Sequence, residues 1–140
     1  MSETDIQNKN LVLIDYLRSF INDYVIRAEY STNDNDKKVI VLQETSGTKE
    51  IFYEANPIYN YYNVDIYGTS IKDAKDTSVI IGNLIGQNIY FDWETKDKKH
   101  ETQKWQILIK QFANPRTIAY SDIRRVSYTM TLQCIVNRIA

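Results

Sequence analysis

Near the C-terminus, Val126, Tyr128, Met130, Leu132, Cys134 and Val136 alternate with Ser127, Thr129, Thr131 and Gln133. A two-residue period over this length is the signature of a long β-strand with one buried and one solvated face. Upstream, Trp105, Ile107 and Ile109 alternate with Gln106 and Lys110 in the same way. The pattern breaks at Asn114 and Pro115. Two long strands separated by that break predict an antiparallel hairpin with a protruding connection, since a two-residue turn cannot span the interval. With 140 residues the chain has the length of one domain, and we expect a single domain over residues 1–140.

The remaining segments predict what this hairpin packs against. Thr4 and Gln7 have capping-box spacing, so a helix is expected from near Asp5. Leu13, Leu17, Phe20, Ile21 and Tyr24 carry a helical period to about Ile26, with Asp15, Arg18, Ser19, Asn22 and Asp23 opposite. Ser31 to Asp36 reads as a solvated turn, and the all-apolar run Val39 to Leu42 as a central strand covered on both faces. Between Gln43 and Pro57 a hairpin tip at Ser46 and Gly47 and a strand over KEIFYEA are expected. Tyr62, Val64 and Ile66 then face one way and Tyr61, Asn63, Asp65 and Tyr67 the other. Gly68 ends this strand, and Ser70 with Asp73 caps a helix carrying Ile71, Ala74, Ser78, Ile81 and Ile85 up to Gly86. Ile89 to Trp93 fits a short strand, and Thr95 to Gln103 a charged, exposed loop. The sum is an α+β domain: an antiparallel or mixed sheet of about four to six strands with two main helices packed on one face.

Charge narrows the functional classes. A net charge of −1, with acids and bases interspersed, lacks the clustered Lys and Arg of a nucleic-acid or anionic-membrane surface. No apolar run approaches the roughly 18 residues of a membrane span, and neither a specific nucleic acid nor a membrane is an expected partner. The single cysteine, Cys134, excludes an internal disulfide, and with no secretion signal a reducing cytosol is the expected site of synthesis. Eleven tyrosines stand out, because tyrosine joins a large apolar ring to a wet hydroxyl and suits both half-buried sheets and interfaces.

Reactive constellations are sparse. His100 is the only histidine and lies in the lysine-rich loop far from Cys134, so spacing assembles neither a zinc site nor a Cys–His pair. Cys134 belongs to the apolar face of the last strand, as a buried, inert hydrophobe. Gly68-Thr69-Ser70 opens a helix without a phosphate-binding motif around it, which leaves capping as its role. We therefore expect a protein that is not an enzyme, with no catalytic set, cofactor or metal. The one enzymatic alternative is Asp65 with the Glu94-Thr95-Lys96 tripeptide, which resembles the PD-(D/E)xK metal-dependent nucleases: two acids to hold a cation and a lysine to stabilise developing charge.

The order of elements, with YNVDIYGTSIKDAKDTSVIIGNLI (residues 62–85), its acid–Ala pair Asp73–Ala74 and the terminal VSYTMTLQCIV strand, resembles the tail terminator family of long-tailed bacteriophages. These are also called minor capsid or head–tail joining proteins. The likeness spans most of the chain, although Ile118 to Arg125 corresponds to nothing in it. It implies a homo-oligomeric ring, with a hexamer as the expected copy number. Such a ring caps the finished tail tube, halts its polymerisation and offers its other face to the head. Its partners would be the major tail tube protein and a head–tail connector protein, in the virion tail and neck after assembly in the host cytoplasm. Another head–tail connector component is the alternative within the same joint. Under this reading loops 43–57, 94–104 and 113–121 are the expected contact regions. Tyr59, Tyr61, Tyr67 and Trp93 would serve as aromatic anchors, and Arg116, Arg124 and Arg125 as charge-assisted contacts.

Overall fold

The computed structural model describes residues 3–28, 38–44, 60–118 and 126–140. Six strands and two helices follow the order α1 (Glu3–Arg18), β1 (Val25–Arg27), β2 (Val39–Glu44), β3 (Asn60–Gly68), α2 (Ile71–Asn83), β4 (Asn88–Glu94), β5 (Thr102–Ile118) and β6 (Val126–Arg138). The strands form one mixed sheet in the order β1-β2-β3-β6-β5-β4. β1 runs parallel to β2, and every other pairing is antiparallel. The chain is therefore α+β, as its patterning predicts.

The alternation of β6 sets the core. Met130, Leu132, Cys134 and Val136 are buried, and the register places Leu132, Met130 and Tyr128 opposite Tyr62, Val64 and Ile66 of β3. On its other side β6 holds Cys134 and Val136 opposite Ile109 and Ile107. Directly opposed residues of antiparallel strands share a face, so this register assembles one apolar layer from three strands. Val12, Leu13, Leu17, Ala74 and Ile81 of the two helices belong to the same apolar cluster. Burial of the Cys134 thiol pushes its pKa up, away from thiolate chemistry.

The first helix is shorter than its pattern predicts. It ends at Arg18, where the Ser19 hydroxyl turns back to the Tyr16 carbonyl and the Phe20 and Ile21 amides both reach the Leu17 carbonyl. Beyond this end Ile21 and Tyr24 are buried from irregular backbone, whereas Phe20 is exposed. The apparent helical period there was two elements in succession, because β-branched Val25 and Ile26 extend into β1 and pair with Val39 and Ile40. β1 in turn explains the run Val39–Leu42, all four residues of which are buried. β2 is the second strand of the sheet, one place in from the edge rather than at its centre.

α2 starts where predicted but ends at Asn83 with Leu84 as its C-cap, so that Ile85, expected on the helix, instead bridges to Ile109. Ser70 Oγ accepts the Asp73 amide at 3.1 Å, and Gly86 takes a positive φ of 86° just past the helix. The hairpin contains a correction. Asn114 and Pro115 do not end β5, which continues to Ile118. Its register against β6 shifts between Gln111 and Ala113 and again between Ala113 and Arg116. A proline has no amide to donate to the ladder, and the second bulge is the place where none is needed. Residues 113–118 are thus strand, not loop. Residues 95–101 do form a loop, exposed except for the buried Thr95, whereas Thr102 and the buried Gln103 already belong to β5. The expectations for Ser31 to Asp36, Ser46 and Gly47, KEIFYEA and residues 119–125 fall outside the described residues.

Candidate functional site

Among the described residues, two surfaces and two part-buried junctions gather much of the polar chemistry. The first surface is the sheet face built from odd-numbered residues of β3 and β6. Register places Asp65 opposite Thr129, Asn63 opposite Thr131 and Tyr61 opposite Gln133. Each pair is joined side chain to side chain. The Thr129 hydroxyl donates to Asp65 at 2.7 Å, the Thr131 hydroxyl to Asn63 at 3.2 Å, and the Gln133 amide to the Tyr61 hydroxyl at 3.2 Å. Such cross-strand pairs hold side chains in fixed positions, which lowers the entropy lost when a partner covers them. Tyr61 and Tyr67 are half-exposed on this face. They were legible as an aromatic face of β3. Thr129, Thr131 and Gln133 were not singled out, because the register that makes them partners is a long-range property; the alternation of both strands was the available signal.

The second surface is a groove of about 290 Å³ between α2 and β6, lined by Lys75, Ser78, Val79, Ile85, Tyr128 and Met130 among others. Val79 is exposed there, and a side chain added at Gly82 would meet nothing within 4 Å.

The first junction removes one expected anchor from the surface. Trp93 is 2% exposed; its ring meets Trp105 edge-on at 6.3 Å, and its indole N–H donates to Asp15 at 2.8 Å. A residue so enclosed has no face to offer a partner, and Trp93 is a core residue that fastens β4 to α1. The two-residue alternation of β4, with apolar Ile89, Phe91 and Trp93 on one side, carried that signal. Arg116 holds the β5 position opposite Thr129. Tyr59, Arg124 and Arg125 lie outside the described residues.

Asp15 also accepts Lys96 at 3.0 Å and Arg18 at 3.2 Å, while Arg18 reaches the Ile26 carbonyl at 2.9 Å. One carboxylate thereby ties α1 to β4, and its helical neighbour ties α1 to β1, the two opposite edges of the sheet. A similar junction joins β1 to α2. The Tyr24 hydroxyl donates to Asp73 at 2.8 Å, and Lys38 lies 3.2 Å from Asp73 and 4.8 Å from the Tyr24 ring centre. Burial, with the Asp73 charge beside it, pushes Tyr24 up to about 12.

Burial alone would raise the Asp15 carboxyl, but the Trp93 hydrogen bond and the Lys96 and Arg18 charges more than offset it and hold its pKa below the ordinary value. Asp73 is lowered by the same balance, with Tyr24 and Lys38 as its partners. A carboxyl whose folded pKa is depressed stabilises the fold fully above its unfolded pKa, and that contribution is lost as pH falls through the folded value. Stability should therefore decline below about pH 4, the unfolded carboxylate range. In Asp15→Asn, which keeps an acceptor for the Trp93 indole, urea midpoints measured from about pH 5 to about pH 2 should fall less steeply than in the parent. Equal slopes would contradict this assignment.

Asp65, Glu94 and Lys96 are not brought together. β6 and β5 stand between β3 and β4, three strand spacings or about 14 Å. Asp65 is held by Thr129, Glu94 lies 3.1 Å from His100, and Lys96 lies on Asp15. Among the described residues no group of three or more acids, histidines or cysteines is placed to hold a metal ion. No helix among them is long and apolar enough to cross a membrane. Compared with protein-family models and with characterised proteins, the chain matches none.

Proposed function

We infer that this chain is a structural subunit that acts by surface recognition. Copies close into a ring, a hexamer, which caps the completed tail tube of a long-tailed bacteriophage, stops its polymerisation and presents the surface to which the head connector attaches. Both helices lie on one face of the sheet in this reading, leaving the polar, tyrosine-bearing face of β3 and β6 for neighbours. The observation that supports it is the unit from Asn60 to Gly86. The stretch on which the sequence resemblance rests is built as a half-polar strand, a tight turn at Gly68 and a capped helix. The interlocked pairs Asp65–Thr129, Asn63–Thr131 and Tyr61–Gln133 supply a rigid surface of the kind that subunit contacts use. A ring formed by rotation needs two different patches on each subunit, and the α2–β6 groove with exposed Val79 is a second one.

Light scattering after size exclusion, on the purified chain alone and with its tail tube protein, tests this reading. A closed ring, or a monomer that forms a ring on the tube, is the expected result. A monomer that ignores the tube protein would contradict it. Tyr61→Ala combined with Gln133→Ala should weaken that association at least about tenfold while leaving the fold intact, because both side chains are half-exposed.

A further inference from the structure

We propose that the outer edge of β4 is a self-pairing surface, on which β4 of a second copy adds antiparallel about a two-fold axis through Phe91. The inference uses β4 and its surroundings alone and stands independently of the ring reading.

β4 is terminal in the sheet, and among the described residues only β5 pairs with it. A free edge presents unpaired backbone donors and acceptors, and natural sheets usually blunt it with a proline, a lysine, a bulge or extreme shortness. The opposite edge, β1, is three residues long. β4 has none of these four devices, and its only charges are the exposed acids Asp92 and Glu94. It runs seven residues as NIYFDWE, and its ladder with β5 has no register shift. Tyr90 at its middle is 62% exposed. On the opposite face, the one that carries Phe91, Phe20 of the segment after α1 is 47% exposed and stacks edge-on against Tyr16, which in turn meets Phe91. A seven-residue, regular edge with exposed aromatic surface on both of its faces suits strand addition.

The identity of the occupant follows from register. Added strands keep the sheet's two faces separate only when apolar positions oppose apolar ones. Centring the axis on Phe91 opposes all seven residues. Asn88 then faces Glu94, Ile89 faces Trp93, Tyr90 faces Asp92, and Phe91 faces its own copy. The apolar set Ile89, Phe91 and Trp93 stays on one face, and neither acid meets another acid. Each carboxylate instead meets a donor, the Tyr90 hydroxyl or the Asn88 amide. Moving the axis to Asp92 would oppose Asp92 to itself, and moving it to Tyr90 would leave the Trp93 and Glu94 ends unpaired. In the one register that uses its full length the strand opposes no like charges and offers each carboxylate a neutral hydrogen-bond donor, and such a contact is isologous.

Sedimentation velocity over a concentration series tests the register through charge. Tyr90→Asp sets a new carboxylate against Asp92 of the other copy, once on each side of the axis, and should weaken dimerisation by roughly tenfold or more. Tyr90→Lys, equally polar and equally foreign to the site, sets an ammonium against Asp92 and should dimerise at least as well as the parent. Adding Asp92→Lys to Tyr90→Asp should restore the lost affinity. Circular dichroism of each variant establishes that the exposed substitutions leave the fold unchanged. A parent chain with no self-association overturns the proposal. So does an association that Tyr90→Asp and Tyr90→Lys alter equally, which would give the edge to a different chain.

Discussion

Trp105→Ala is expected to destabilise the chain by about 3–5 kcal/mol, the usual cost of deleting a fully enclosed aromatic side chain. Trp105 is completely buried and belongs to the apolar cluster that unites both helices with the sheet. Its loss does three things at once. It opens a large cavity between β4 and β6, removes the edge-on partner of Trp93 at 6.3 Å, and leaves the Gln103 side-chain oxygen, itself 5% exposed, without the indole N–H that donates to it at 3.1 Å. Chemical denaturation followed by far-UV circular dichroism reads the change directly. Trp105→Phe, which refills most of the volume but keeps the orphaned oxygen, should fall between parent and Ala. A Trp105→Ala variant within about 1 kcal/mol of the parent would contradict the placement of this ring at the centre of the core.

The second large effect is expected at Gly68. A methyl group there would lie 2.9 Å from the Tyr24 hydroxyl oxygen and 3.2 Å from both the Cβ and the amide nitrogen of Ala74. Three elements meet at this point: the end of β3, the first turn of α2 and the segment leading into β1. The amide nitrogen cannot yield without disturbing the Ala74 hydrogen bond to the Ser70 carbonyl. The Tyr24 hydroxyl cannot yield without lengthening its bond to Asp73. Gly68→Ala should therefore cost about 1–3 kcal/mol by overpacking. A double-mutant cycle with Tyr24→Phe separates the causes, since removing the hydroxyl relieves the tightest contact. The two substitutions should cost less together than the sum of their separate effects. Strict additivity would mean that the clash is elsewhere.

Much of this architecture is legible before any coordinates are known, for a local reason. α2 announces itself through Ser70 and Asp73 at its start and Gly86 beyond its end, and β3 and β6 through their alternation, because caps and pleats are properties of neighbouring residues. The misreadings share the opposite cause. The stretch from Phe20 to Ile26 keeps a helical spacing of apolar residues, yet Val25 and Ile26 complete a parallel ladder with Val39 and Ile40 that nothing local specifies. Pro115 ends most strands but is accommodated where the register of β5 against β6 already shifts. Trp93 looked like an anchor by residue type and proved to be core by topology, since the carboxylate that receives its indole comes from Asp15, distant in sequence. The polar face had the same division: Tyr61 and Tyr67 could be read from β3 alone, while their β6 counterparts waited on register.

The fold also bears on how a subunit of this kind would work. α1 is fastened to β4 through Asp15 and Trp93 and to β1 through Arg18 and the Ile26 carbonyl. A sheet braced at both margins keeps its faces in shape when neighbours press on them, which recognition by rigid complementarity requires.

The proposed tail-capping role is tested most directly by electron microscopy of phage particles assembled without this gene. If the chain closes the tube, tails grown in its absence should be overlong and of scattered length, and the purified chain added back should restore a uniform stop. Tails of normal length, attached to heads as usual, would contradict it.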